Sequence, residues 1–156
     1  MNYQEWKTTV PARITTDRLW KLRVYRLALF LGDLASHDLA KLSQDRRTNG
    51  LAYHLYDAVG SIKAKIREGS ACNIGNERAH FYKYALGFAC ESRYWYTKSS
   101  QVLGEAITKQ RLELLEEIVR LLFAMIPQQH KSVIREEPDE VQADNPEYLV
   151  QNVPVL

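Results

Sequence analysis

The chain has 156 residues, of which 46% are hydrophobic and 26% charged. That is the composition of a single globular domain, long enough to bury a core without staples. Its longest apolar runs, Leu27–Leu31 and Leu121–Ile126, fall far short of the ~20 residues that span a bilayer, so no membrane partner is expected. The opening MNYQEWKTTVPAR holds no apolar core of a secretory signal, and Cys72 and Cys90 form neither a disulfide framework nor a CxxC pair. Both features predict a cytoplasmic, reducing setting. The net charge of +2 conceals a split: residues 1–135 hold all 21 Lys and Arg with 13 of the 19 acids, a net of +8. Residues 136–156 hold the remaining six acids (Glu136, Glu137, Asp139, Glu140, Asp144, Glu147) and no base. A basic body with an acidic end points to a polyanionic partner, or to an end that covers the body's own charge; the plain alternative is a solvated surface with a disordered end.

Residues 1–15 contain Pro11 and little periodicity and are expected to form a loose or strapping arm. Thr16 and Asp17 offer an N-cap and a first-turn acid for a helix to about Lys41. Its apolar residues form two stripes, Leu19, Leu22 and Leu29 on one and Trp20, Val24, Leu27, Leu31 and Leu34 on the other. A helix apolar on two sides is buried on two sides, which predicts self-association. A second helix is expected from about Asp45 to Glu68, with Leu51, Leu55, Ala58, Val59, Ile62 and Ile66 facing a core and Gly69 supplying the left-handed residue that closes it. After a polar link, Asn76 caps a third helix running to about Leu103, where Gly104 stops it; Phe81, Tyr84, Ala85, Phe88, Ser92, Trp95 and Val102 are its expected buried face. A fourth helix spans about Thr108 to Ile126, again with two stripes, and Pro127 marks its end. The expected fold is therefore all-α: an N-terminal arm over residues 1–15, an antiparallel up-down-up-down four-helix bundle over 16–127, and a disordered acidic tail over 128–156.

The stretch Ser61-Ile62-Lys63-Ala64-Lys65-Ile66-Arg67-Glu68-Gly69 resembles a motif of a bacterial family, the small four-helix-bundle proteins of the 23S rRNA intervening sequence. That family shows Ser-Ile-x-x-Asn-Ile-Ala-Glu-Gly at the end of its second helix, followed by an Ala-x-Gly-Ser-x-x-Glu pattern. Ala85-Leu86-Gly87-Phe88-Ala89-Cys90-Glu91 fills the second slot here, and Leu19–Tyr25 is similar to the family's opening helix, so the likeness spans about residues 17–127. Ser61, Ile62, Ile66, Glu68, Gly69, Gly87 and Glu91 carry the family pattern, as structural positions. Lys65 stands where the family has Asn, Arg67 where it has Ala, and Phe88 where it has Ser, so this chain is more basic at the motif. The resemblance implies a bundle that assembles into a ring, commonly a pentamer. A more distant similarity, to the accessory proteins of diversity-generating retroelements, implies contact with nucleic acid. The plain alternative for Ser61, Gly69 and Gly87 is fold maintenance, with Gly87 costing about 1 kcal/mol against Ala in mid-helix.

Candidate chemistry is sparse. Glu77-x-x-His80 has the spacing of a carboxylate-bridged di-metal bundle, but no second copy exists, so no metal and no cofactor are expected. His54 and Asp57 share a helix face and suit a solvated pair. Ser36-His37-Asp38 is contiguous, and neighbours on a helix diverge where a triad must converge. Cys90 is expected to be a small buried hydrophobe and Cys72 an exposed thiol with no activating base nearby. Enzyme activity is not expected.

What remains is basic and aromatic. Lys63, Lys65, Arg67, Arg78 and Lys83 bracket the link between the second and third helices and are the candidate nucleic-acid contacts, each able to neutralise a phosphate. Tyr82, Arg93, Tyr94, Tyr96 and Lys98 follow on the third helix, a mixture suited to stacking on bases or to packing between subunits. The expected function is a non-enzymatic homo-oligomeric bundle, most simply a pentamer, that contacts RNA or DNA through basic helix ends. The alternative is a scaffold that binds only other proteins.

Overall fold

The computed structural model describes residues 1–131, and all secondary structure among them is helical. The expected disordered tail lies outside the described residues, apart from the first part of its range.

The arm is not loose. Asn2 and Glu5 form a reciprocal capping box that starts α1, Tyr3–Thr9. Pro11 precedes a single turn, α2, Ala12–Thr15. Asp17, expected as a first-turn acid behind a Thr16 cap, is itself the cap, and of a short 3-10 turn, Arg18–Lys21, whose Leu19 amide donates to its carboxylate. The first long helix, α3, begins six residues later than the cap predicts and spans Arg23–Leu42. The Arg26 guanidinium donates to the carbonyls of Trp20 and Lys21, which ties the 3-10 turn to the new helix.

The arm then covers α3. Trp6 is buried against Phe30 and Leu34 in a small core of its own, with Trp20 and Tyr3 alongside, and its indole N–H donates to Asp33 at 2.7 Å. Both apolar stripes of α3 are therefore covered within one chain, Trp20, Leu29 and Leu34 by the arm's small core and Leu19, Leu22, Val24, Leu27 and Leu31 by the main core. Self-association does not follow from the two stripes of α3, because the arm presents an apolar face of its own to them.

Three more long helices follow: α4, Asn49–Ala71, α5, Gly75–Lys98, and α7, Glu105–Lys131, with the single turn α6, Ser100–Leu103, before the last. α4 packs mainly on α5, α5 on α7, and α3 on α4 and α7. Their shared core includes Leu31, Leu55, Ile62, Ile66, Leu115, Ile118 and Leu122. Leu121 and Met125, from the second stripe of the fourth helix, are also buried in this core.

Several helix ends differ from expectation. Gly69 does not close the second helix: α4 continues to Ala71, and Gly104 is the only described residue with positive φ, at 90°. Gly69 is needed for contact instead, since a Cβ there would lie 2.7 Å from the Tyr82 ring. Asn76 lies inside α5, whose N-cap is Ile74. Pro127 does not end α7, which continues to Lys131. A proline forfeits one helical hydrogen bond, and this last turn is held from outside: His130 Nδ1 lies 2.8 Å from Asn76 Oδ1, and Gln129 accepts from Arg78 at 3.2 Å. The third helix ends at Lys98 rather than at Leu103, and Gly104, with its positive φ, closes the single turn α6 that follows.

The third helix is also rotated from its expected face. Its buried residues are Ala79, Tyr82, Ala85, Ala89, Ser92 and Tyr96, whereas Tyr84 is exposed and Phe81, Phe88 and Trp95 are half-buried on a flank. α5 is sandwiched between α4 and α7, and small residues at 79, 85 and 89 allow both neighbours to approach closely. No described helix is long and apolar enough to cross a membrane.

Candidate nucleic-acid interface

Four segments meet around the α4–α5 junction: the start of α3, the last turns of α4, the first turns of α5 and the last turn of α7. Tyr82 lies on Gly69 and its hydroxyl is 3.3 Å from Ser70 Oγ. Burial pushes the Tyr82 phenol above its ordinary value, partly offset by Ser70 and by nearby Arg78. On the α3 side, burial likewise raises Tyr25, and the neighbouring charge of Arg67 pulls it partly back. Cys72 caps α4, and the Arg78 guanidinium donates to its carbonyl from Nη2 at 2.8 Å and from Nε at 3.2 Å.

The five candidate cations take different parts in this arrangement. Arg78 is committed to Cys72 and Gln129 and acts as a clasp for the junction. Lys65 leans towards α5, with its ammonium 2.8 Å from Glu68 and 5.7 Å from the centre of the Phe81 ring. Lys63 and Arg67, one turn apart, project from the other side of α4 and are exposed. Lys83 is exposed on α5. Among the described residues Lys63, Arg67 and Lys83 make no ion pair, so no described carboxylate competes with a phosphate for them. The cations thus share one region but not one face.

The family-pattern residues divide by burial. Ile62, Ile66 and Gly69 are buried, Ser61 is half-buried, and Glu68 and Glu91 are exposed. Glu91 accepts from the Trp95 indole at 3.2 Å. Gly87 is exposed, and a Cβ there would meet nothing within 4 Å, so no described helix needs its small size.

Two expected surface tyrosines are interior. Tyr82 and Tyr96 are buried, leaving Tyr94 exposed on α5 beside Arg93 and Lys98, with the Lys98 ammonium 5.5 Å from the Tyr94 ring centre. Further along, His54 of α4 stacks on Trp95 at 5.0 Å, and Tyr53 and Tyr94 meet this pair edge-on. His54 therefore serves an aromatic cluster rather than simply pairing with Asp57. The flank it belongs to also carries the acids Asp57, Glu77 and Glu91.

The remaining candidates resolve simply. Glu77 is exposed, and His80 lies 3.0 Å from the Tyr84 hydroxyl. Among the described residues no three His, Cys, Asp or Glu side chains are grouped to hold a metal ion. Cys90 is exposed, because position 90 falls on the outer side of the rotated α5, and Cys72 is half-buried with its thiol directed at the Glu68 carbonyl. Of Ser36, His37 and Asp38, only Asp38 is buried, and it belongs to a different constellation. Its carboxylate accepts two hydrogen bonds from Arg111, at 2.8 and 3.0 Å, and one from the Tyr96 hydroxyl at 3.0 Å. Asp38 is 5% exposed, Arg111 6% and Tyr96 not at all, so the group closes α3, α5 and α7 around one buried charge pair. No sequence signal joins residues so far apart. A buried aspartate without its arginine is costly, so this group locks the three helices together.

No protein-family model, curated protein or solved structure matches the chain.

Proposed function

We propose that the chain is a non-enzymatic, cytoplasmic helical protein that contacts RNA or DNA through the basic end where α4 passes into α5. In this reading α3, α4, α5 and α7 form an antiparallel up-down-up-down four-helix bundle, supported by the short links Ser43–Thr48 and Cys72–Ile74. The motif at residues 61–69 supports a kinship with the intervening-sequence proteins. The observation that carries the function is the trio Lys63, Arg67 and Lys83, exposed and without an ion pair among the described residues, beside a junction clasped by Arg78. Phosphates that such cations neutralise release counterions, so affinity falls steeply with salt and depends little on sequence.

The test is fluorescence anisotropy with labelled single- and double-stranded oligonucleotides of mixed sequence. Changing Lys63, Arg67 and Lys83 together to Gln is expected to lower affinity at least tenfold at low salt and to flatten the salt dependence by about two to three released ions. Helix content should be unchanged. Equal affinity in variant and wild type would place any binding elsewhere.

The second reading is a protein-interaction scaffold, and one observation favours it. The α4–α5 flank carries Tyr84, Tyr53 and the His54–Trp95 stack among Asp57, Glu77 and Glu91. Aromatic residues mixed with acids suit a protein partner better than a phosphate backbone. The homo-oligomer, pentameric in line with the motif resemblance, would assemble through this flank, because the arm covers the apolar stripe of α3.

A further inference from the structure

The end of α7 stands beside the basic junction. Gln129 and His130 reach Arg78 and Asn76 in the first turn of α5, so the chain leaves Lys131 at the same end as Lys63, Arg67 and Lys83. Residues 132–156 follow, and from Glu136 onward they carry six acids and no base. Glu136 is five residues past Lys131, a reach of up to about 17 Å. The twenty residues beyond it can cross an end only about 20 Å wide, two helix spacings, with chain to spare. The other end of the helices carries exposed cations as well, Lys41, Arg46, Lys98 and Lys109, but it is farther from the point where the segment is tethered: Lys109 lies 22 residues back along α7, about 33 Å away, and the exposed acids Glu105, Glu113 and Glu116 share that half of α7.

We infer that the basic junction is the docking surface for the chain's own acidic C-terminal segment, residues 136–156, held by Lys63, Arg67 and Lys83. A tethered segment acts at millimolar effective concentration, so diffuse contacts between six acids and a few exposed cations suffice to occupy the surface. The docking does not require that the junction bind nucleic acid. If it does, segment and nucleic acid compete for the same three side chains.

The test uses the full chain and contains no nucleic acid. Equal amounts of light and nitrogen-15-labelled protein are mixed, coupled with a zero-length carbodiimide, digested and read by mass spectrometry. Links from Glu136–Glu147 are expected on Lys63, Lys65 and Lys83, within chains of one isotope, and several-fold more often than on Lys41, Lys98 or Lys109. They should disappear in 1 M salt, where the screening length falls to about 3 Å. In parallel, trace acetylation should modify Lys63 and Lys83 about two- to fivefold more slowly in wild type than in a variant with all six acids changed to Asn or Gln, at low salt only. Links that are absent, spread evenly over both ends or mostly of mixed isotope would overturn the inference. So would equal acetylation rates in the two proteins.

Discussion

At the scale of single residues, the strongest constraint lies away from the candidate interface. Burial first, and the Asp38 carboxylate second, push the Tyr96 phenol far above its ordinary value. The unfolded chain therefore ionises this tyrosine before the folded one does. Its stabilising contribution is complete below about pH 10 and is lost as pH rises beyond that value towards the folded pKa. Tyr96→Phe is expected to cost about 1.5–3 kcal/mol at neutral pH, for the lost hydrogen bond to a charged acceptor. It should also lose less stability than wild type between neutral pH and pH 11, which urea melts at both values will measure. A wild-type loss no larger than the variant's would mean that Tyr96 does not carry the alkaline sensitivity. The candidate cations were legible in the sequence because Lys63, Lys65 and Arg67 crowd one short stretch. The Asp38–Tyr96–Arg111 group was not, since Asp38 and Arg111 are 73 residues apart and only the packed helices align them.

At the scale of elements, two glycines with similar sequence settings have opposite roles. Both lie within long helices, where a change to Ala gains about 1 kcal/mol of helix propensity. Gly87 faces open space, whereas a methyl on Gly69 would collide with Tyr82. Gly87→Ala should therefore raise the melting temperature of the isolated chain by about 2–4 °C, and Gly69→Ala should lower it despite the same propensity gain. Calorimetry on both variants checks the pair, and a stabilised Gly69→Ala would show that Tyr82 yields. Long helices were legible because their 3.6-residue pattern persists, and their ends were less so. Pro127 reads as a stop, but the clasp by Asn76 and Arg78 that carries α7 past it is invisible to local rules. The arm did carry a readable signal: Asn2 and Glu5 are spaced as a capping box, and Tyr3, Trp6 and Val10 recur at helical intervals.

At the scale of the whole molecule, the arm decides which surface remains for assembly. With Trp6 buried on Phe30 and Leu34, the exposed aromatic residues concentrate on α4 and α5, where Tyr53 is 71% exposed and Tyr94 53%. Light scattering is expected to return a multiple of one chain mass at micromolar concentration, and Tyr84→Glu should shift it towards the monomer without lowering the melting temperature appreciably. Trp6→Ala should instead cost about 3–5 kcal/mol while exposing the stripe of α3. An assembly insensitive to Tyr84→Glu would not be built through the α4–α5 flank.

The lock between Asp38 and Arg111 also has a kinetic meaning. Successive helices can pair early, because α4 meets α5 across a three-residue link and little loop entropy is lost. Bringing α3 against α7 closes the longest stretch of chain, and only then do the carboxylate and guanidinium leave water together. The ion pair is thus expected to consolidate late in folding, after its neighbours have built the site that receives it, and a φ-value near zero for Tyr96→Phe in stopped-flow refolding will check this. Weakening it would accelerate unfolding far more than it slows folding. The lifetime of the native state, more than the speed of reaching it, rests on that pair.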